Sequence, residues 1–133
     1  MNTNEHGTRL VNAAATRIRR ALLDPQALPD WNPAFRSIAG PADAAVGVRY
    51  PIGVTGGLSG TWEYTYIDDT RIDTAWQVPG FRETGTWRLV PHGDGTMVTH
   101  EFSHEGPLAR MLAHAYRGVA QLRLDRLAAR AAR

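Results

Sequence analysis

The chain contains no cysteine and no lysine, and nowhere carries an apolar run approaching the ~20 residues needed to cross a bilayer. The first absence excludes a disulfide framework, a thiolate nucleophile and a cysteine metal site. The second means that all fifteen basic residues are Arg. They are spread along the chain rather than clustered, and the formal charge is only +2, so the composition points to no nucleic-acid partner. The third argues against membrane insertion. The opening MNTNEHGTRLV also lacks the basic-then-apolar order of a secretion signal, so the expectation is a cytoplasmic protein.

A length of 133 residues fits one domain, taken here as 1–133, with enough interior for a core that needs no metal or disulfide staple. The chain shows neither internal repeats nor a low-complexity linker. TRLV (8–11) reads as a short first strand. From Ala14 to Leu23, Ile18, Ala21 and Leu22 share one helical face and Arg17, Arg19 and Arg20 fall away from it. DPQALPDWNP (24–33) then offers Asp24 as a cap and Pro25 at a first helical position, while Pro29 and Pro33 keep this second helix short. FRSIAG (35–40) and VGVRYPI (46–52) read as strands, and GVTGGLSG (53–60) as a mobile glycine-rich loop. A strand follows that loop and no Lys accompanies it, which argues against a phosphate cradle.

Residues 58–103 carry four strand patterns joined by short turns, DDT, PG and PHGDG, which predict an antiparallel meander. Setting Val90 opposite Met97, Val78 opposite Phe81 and Tyr66 opposite Ile72, with no bulges, generates cross-strand rows. One row is Trp62, Trp76, Glu83 and His104; the next is Tyr64, Thr74, Gly85 and Phe102; the third is Tyr66, Ile72, Trp87 and His100. The opposite face is almost wholly polar, so the aromatic rows are expected to face inward. Gly85 opposite Phe102 would let the sheet bend into a concave inner surface. The last segment, from Gly106 and Pro107, predicts one helix of about 24 residues, about 36 Å long. Leu108, Met111, Leu112, Ala115, Val119 and Leu122 form its apolar stripe.

Inner-face chemistry centres on three residues. Glu83, placed between Trp76 and His104, must be paired, hydrogen-bonded or protonated to offset its desolvation. Two readings stand: an ion pair with His104 or with an Arg of the closing helix, or a general acid/base pair with His104. His100, beside Trp87, reads either as a satisfied core histidine or as a third polar group of the same site. His100 and His104 are two potential metal ligands, but no third with suitable spacing completes a set, and no metal or other cofactor is expected.

This order of elements, with Leu22, Asp24, Trp31 and Pro33 near the front and Pro91, Gly93, Asp94, Gly95, Thr96, Gly106, Pro107, Leu108 and Leu127 near the back, resembles the SRPBCC superfamily. That group includes START-like domains, polyketide cyclase/dehydrase proteins and the birch-pollen-allergen-like proteins. The resemblance implies an α+β helix-grip fold: a curved antiparallel sheet of about six to seven strands wrapped around a long C-terminal helix, with two short helices near the N-terminus. It also implies an apolar cavity between sheet and last helix, lined by Trp62, Tyr64, Tyr66, Trp76, Trp87 and Phe102 and capped by Trp31. An arginine often sits in such cavities; Arg49 and Arg117 are the candidates, though Arg49 falls on the opposite side from Val48 and Tyr50.

The function so implied is binding of a hydrophobic, aromatic or polyketide-like small molecule, with cyclisation or dehydration by acid/base chemistry if the protein is an enzyme. The alternative is a non-catalytic carrier or sequestering protein for an apolar ligand. Because the first strand reads as short, a second copy of the chain could complete the sheet edge as a homodimer.

Overall fold

The computed structural model describes residues 3–132. Seven strands form one antiparallel sheet in the order β1-β7-β6-β5-β4-β3-β2. In chain order these are β1 (Thr3–Val11), β2 (Phe35–Ile38), β3 (Tyr50–Val54), β4 (Ser59–Ile67), β5 (Arg71–Val78), β6 (Phe81–His92) and β7 (Gly95–Glu105). Between β1 and β2 lie α1 (Ala15–Leu22), a 3-10 turn (Pro25–Ala27) and α2 (Leu28–Trp31); after β7 come α3 (Ala109–Leu112) and α4 (Val119–Ala131). This is the expected helix-grip arrangement, with α4 packed across β1 and β7 and against α1.

Two-residue and glycine-containing turns hold strand register tightly, and most of the meander lies where the turns place it. Val78 pairs with Phe81 and Val90 with Met97, so Trp62, Trp76, Glu83 and His104 form one continuous row and Tyr64, Thr74, Gly85 and Phe102 the next. The third row differs. A bulge between Tyr64 and Tyr66 sets Tyr66 opposite Asp73 and brings Ile67 opposite Ile72, Trp87 and His100. The cause is local: the Asp68 carboxylate accepts the Thr70 and Arg71 backbone N–H groups at 2.8 and 2.7 Å and the Tyr66 hydroxyl at 2.7 Å. Tyr66 therefore turns outward, 42% exposed, with the Arg71 guanidinium 4.8 Å from its ring centre. It does not face the inner concavity where strand alternation placed it.

Other expectations need correction. The first strand is long: β1 pairs with β7 along its whole length from Thr3 to Val11, so the premise for a completing second chain does not hold. The stretch 53–60 is not a free loop, since Gly53 belongs to β3 and Gly60 to β4, and only the turn between them carries the left-handed Gly56 and Gly57. Gly60 is demanded by its neighbour, because a Cβ there would lie 1.8 Å from the Gln77 carbonyl oxygen. Asp24 makes no side-chain cap hydrogen bond.

The closing helix is broken. Turns over residues 113–118 separate α3 from α4, which starts after Gly118 in the left-handed region at φ 80°. The break changes the helical phase. Ala120, Leu124, Leu127 and Ala131 are the buried apolar face of α4, whereas Met111, Leu112 and Leu122 of the predicted stripe are exposed at 76%, 36% and 39%.

α1 is tied to the sheet through one buried hydrogen bond, from the Tyr64 hydroxyl to the Leu22 carbonyl at 2.6 Å. Removing that hydroxyl strands a buried acceptor at the last turn of α1. Tyr64→Phe is expected to lower stability by about 1–2 kcal/mol, read as a shifted urea midpoint at unchanged slope.

Candidate functional site

The row Trp76–Glu83–His104 and the buried face of α4 meet in one polar cluster inside the aromatic core. Strand alternation points Glu83 of β6 and His100 and His104 of β7 inward, and α4 lowers Arg123 onto them. All four side chains are buried. The Glu83 Oε1 accepts from His104 Nε2 at 2.8 Å and from Arg123 Nη2 at 3.0 Å. Its Oε2 accepts from Trp76 Nε1 at 2.9 Å and Arg123 Nη1 at 3.0 Å. This fork-to-fork geometry uses the whole acceptor capacity of a carboxylate.

Burial alone would raise the Glu83 carboxyl, but the Arg123 guanidinium and the His104 hydrogen bond outweigh it and hold the group down at about 2. Glu83 is thus ionised, and His104 must donate its Nε2 proton to it. His100 is fixed in the other tautomer. Its Nδ1 donates to the Thr86 carbonyl at 3.1 Å, leaving Nε2 to accept from Arg123 Nη1 at 3.3 Å. Burial and the adjacent Arg123 charge push His100 down to about 3, so the ring is neutral. It stacks on Trp87 at 3.6 Å between centroids, while Arg123 lies over the Phe102 ring at 4.5 Å. Burial, with the Glu83 charge second, raises the Tyr116 phenol to about 12.

Trp31, Trp62, Tyr64, Trp76, Trp87 and Phe102 are all buried. They do not enclose a wide hollow, however. Trp31 meets Trp87 edge-on at 5.7 Å, Phe35 meets Trp76 at 5.2 Å and Trp62 meets Tyr64 at 4.4 Å. The rings fill the concavity, and the void left among Trp31, Trp62, Trp76, Trp87, Glu83, His100 and Arg123 is about 20 Å³. That is room for about one water molecule.

On the far side of the cluster a cleft of about 160 Å³ opens between β1, β7 and the α3–α4 linker, and reaches Phe102, His104 and Tyr116. The solvent face of the sheet carries a polar depression of about 450 Å³ lined by Asp73, Thr84, Thr86, Glu101 and Ser103. Its hydroxyls are partly paired with one another, Thr84 with Ser103 at 3.1 Å.

Arg123 is the member of this cluster that the sequence pattern does not single out. Arg49 and Arg117 are both exposed and take no part in the cluster. Among the described residues no group of three or more His, Asp or Glu side chains is placed to hold a metal ion, and no helix is long and apolar enough to cross a membrane.

Residues 6–132 match the sequence profile of the family described as polyketide cyclase / dehydrase and lipid transport. The chain belongs to that family, within the SRPBCC superfamily. Among curated protein sequences none matches it. Solved structures share its fold: the Zhui aromatase/cyclase from Streptomyces sp. R1128 superimposes with a TM-score of 0.83 at 14% identity, covering 100% of this chain and 95% of that one. A protein from Chromobacterium violaceum gives 0.69 at 25% identity, over 96% of each chain. Norcoclaurine synthase from Thalictrum flavum gives 0.71 at 17% identity, over 96% of this chain and 92% of that one.

Proposed function

We propose that this protein binds a flat, mostly apolar aromatic molecule between its sheet and α4, as a carrier or sequestering protein. The observation that carries this reading is the residual void under α4, walled by four tryptophans with the Arg123–Glu83–His100 cluster at one side. Indole faces supply stacking area at low entropic cost, and a few fixed polar groups orient the guest. The family's description, which names lipid transport beside cyclase and dehydrase activity, supports the same class of ligand.

A guest larger than water requires the void to expand. α2 is the wall best suited to yield: it is a single helical turn, and its Leu28 and Trp31 plug the void from the side opposite the sheet. One-turn helices carry little stability of their own and open at a fraction of the global cost.

Binding without chemistry is favoured because the acid/base groups are spent on one another. Glu83 is ionised and fully bonded, and both His100 nitrogens are engaged. The second reading, a cyclase or dehydratase using Glu83, His104 and His100, rests on the cleft that reaches His104 from solvent and offers a proton route. Titration with fluorene, followed by tryptophan fluorescence, separates the cases. Saturable one-to-one binding is expected, kept within about two-fold in His104→Gln. Absence of saturable binding would contradict the proposal, and catalytic turnover of a polyketide-like substrate that His104→Gln abolishes would favour the enzyme.

A further inference from the structure

Two side chains that line the central void each carry a buried N–H donor without a protein acceptor. Trp31 Nε1 and Arg123 Nε are buried, and among the described residues neither finds a hydrogen-bond partner. Their residues are 4% and 1% exposed, and both side chains line the void. A buried donor left unpaired is costly, and folded proteins rarely tolerate two in one place unless something else supplies the acceptor.

The neighbours limit what that acceptor can be. Each Glu83 oxygen already accepts two hydrogen bonds. His100 Nε2 already accepts from Arg123. A ligand hydroxyl placed here could accept from the two donors, but it would also have to donate its own proton, for which the lining offers only the Thr74 and Asn32 side-chain oxygens. A ligand carboxylate would set a second negative charge beside Glu83, whose charge already neutralises Arg123. A neutral carbonyl oxygen accepts without donating and fits a space of about 20 Å³.

Building on the binding function proposed above, we infer that the ligand is an aromatic ketone or quinone whose carbonyl oxygen seats between Trp31 Nε1 and Arg123 Nε. Trp31 is then a specificity-determining residue: its ring closes the void and its N–H selects the oxygen.

Three rigid tricyclic probes test this: 9-fluorenone, 9-fluorenol and fluorene, which share a framework and differ only at one carbon. Fluorenone is expected to bind at least about five-fold tighter than fluorene, the worth of one net hydrogen bond, with fluorenol between them. In Trp31→Phe, which keeps an aromatic wall and deletes the N–H, the ratio of fluorenone to fluorene affinity should shrink to less than about two-fold, whatever the smaller ring does to the affinity for fluorene itself. The deleted donor has no protein partner, so any loss of stability in the variant comes from the smaller ring beside Trp87 and should lower the melting temperature by only several degrees, leaving a folded protein for the titration. Equal binding of fluorenone and fluorene, or an advantage that persists in Trp31→Phe, overturns the carbonyl site and leaves the binding function standing. If none of the probes binds, both fall.

Discussion

Arg123→Met is expected to cost about 3–5 kcal/mol of folding stability, a large part of the about 5–15 kcal/mol that holds a typical domain together. The volume of the side chain is nearly kept, so the loss is electrostatic. With the guanidinium gone, the Glu83 carboxylate loses two of its four hydrogen bonds, both from Arg123, and with them the guanidinium charge. The burial that Arg123 now outweighs would then act on an uncompensated charge. Neutralising both partners tests the cause: Glu83→Gln with Arg123→Met should recover about 2 kcal/mol relative to Arg123→Met alone, since an amide is far cheaper to bury than a lone carboxylate. Urea unfolding of the wild type, both single variants and the double variant closes the cycle. A double variant no more stable than Arg123→Met would show that packing, not charge, makes Arg123 important.

The second large effect is a loss of stability in mild acid. His100 is held near 3 in the folded protein against its ordinary 6.5. Below 6.5 the unfolded chain therefore binds a proton that the folded chain refuses, and stability falls as pH falls, until the folded ring also titrates near 3. One proton corresponds to about 1.4 kcal/mol per pH unit, so about 2–3 kcal/mol should be lost between pH 6.5 and 4.5. Glu83 adds its own loss lower down. Its folded value of about 2 lies below the ordinary 4.5, so its contribution is full above 4.5 and disappears as pH falls towards 2. His100→Gln, which keeps an acceptor near Arg123, should flatten the decline between pH 6.5 and 4.5 and leave the lower limb in place. An unchanged slope in that variant would assign the effect to another group.

Much of this site is legible in the sequence because turns fix register. Pro79 and Gly80 force Val78 against Phe81, and from that pair alone Trp76 must oppose Glu83 and Thr74 must oppose Gly85. The PHGDG turn does the same for His104 and Glu83. The Glu83–His104 bond is a consequence of counting along two hairpins, and an arginine from the closing helix is one of the two partners the sequence offers Glu83.

Which arginine that is cannot be read from a continuous helical stripe. Gly118 breaks the helix and resets its phase, so a pattern counted from Leu108 drifts off the buried face and lands on exposed Leu122 instead of Arg123. The glycine itself was the available signal. Tyr66 escapes for a different reason: the bulge depends on Asp68 capturing Tyr66 and two backbone amides, a side-chain event that strand alternation does not encode. The long β1 is hidden because its inner face is not apolar. Arg9 reaches Asp125 at 2.7 Å, and Gly7 lies under Leu124 where a Cβ would come within 3.1 Å, so no hydrophobic alternation marks the strand.

Cavity size is the other quantity the sequence withholds. Parity puts rings on the inner face, but whether they line a hollow or fill it depends on rotamers and on how closely α2 and α4 approach. Here they nearly fill it, so ligand binding must be coupled to an opening. The indole N–H signals of Trp31, Trp62, Trp76 and Trp87 in a ¹H–¹⁵N spectrum report on that opening directly during titration with fluorenone. Saturable shifts concentrated at Trp31 and Trp87, with the Trp76 signal held by Glu83, are the predicted result; four signals that stay in place at saturating probe would contradict a ligand site beneath α4.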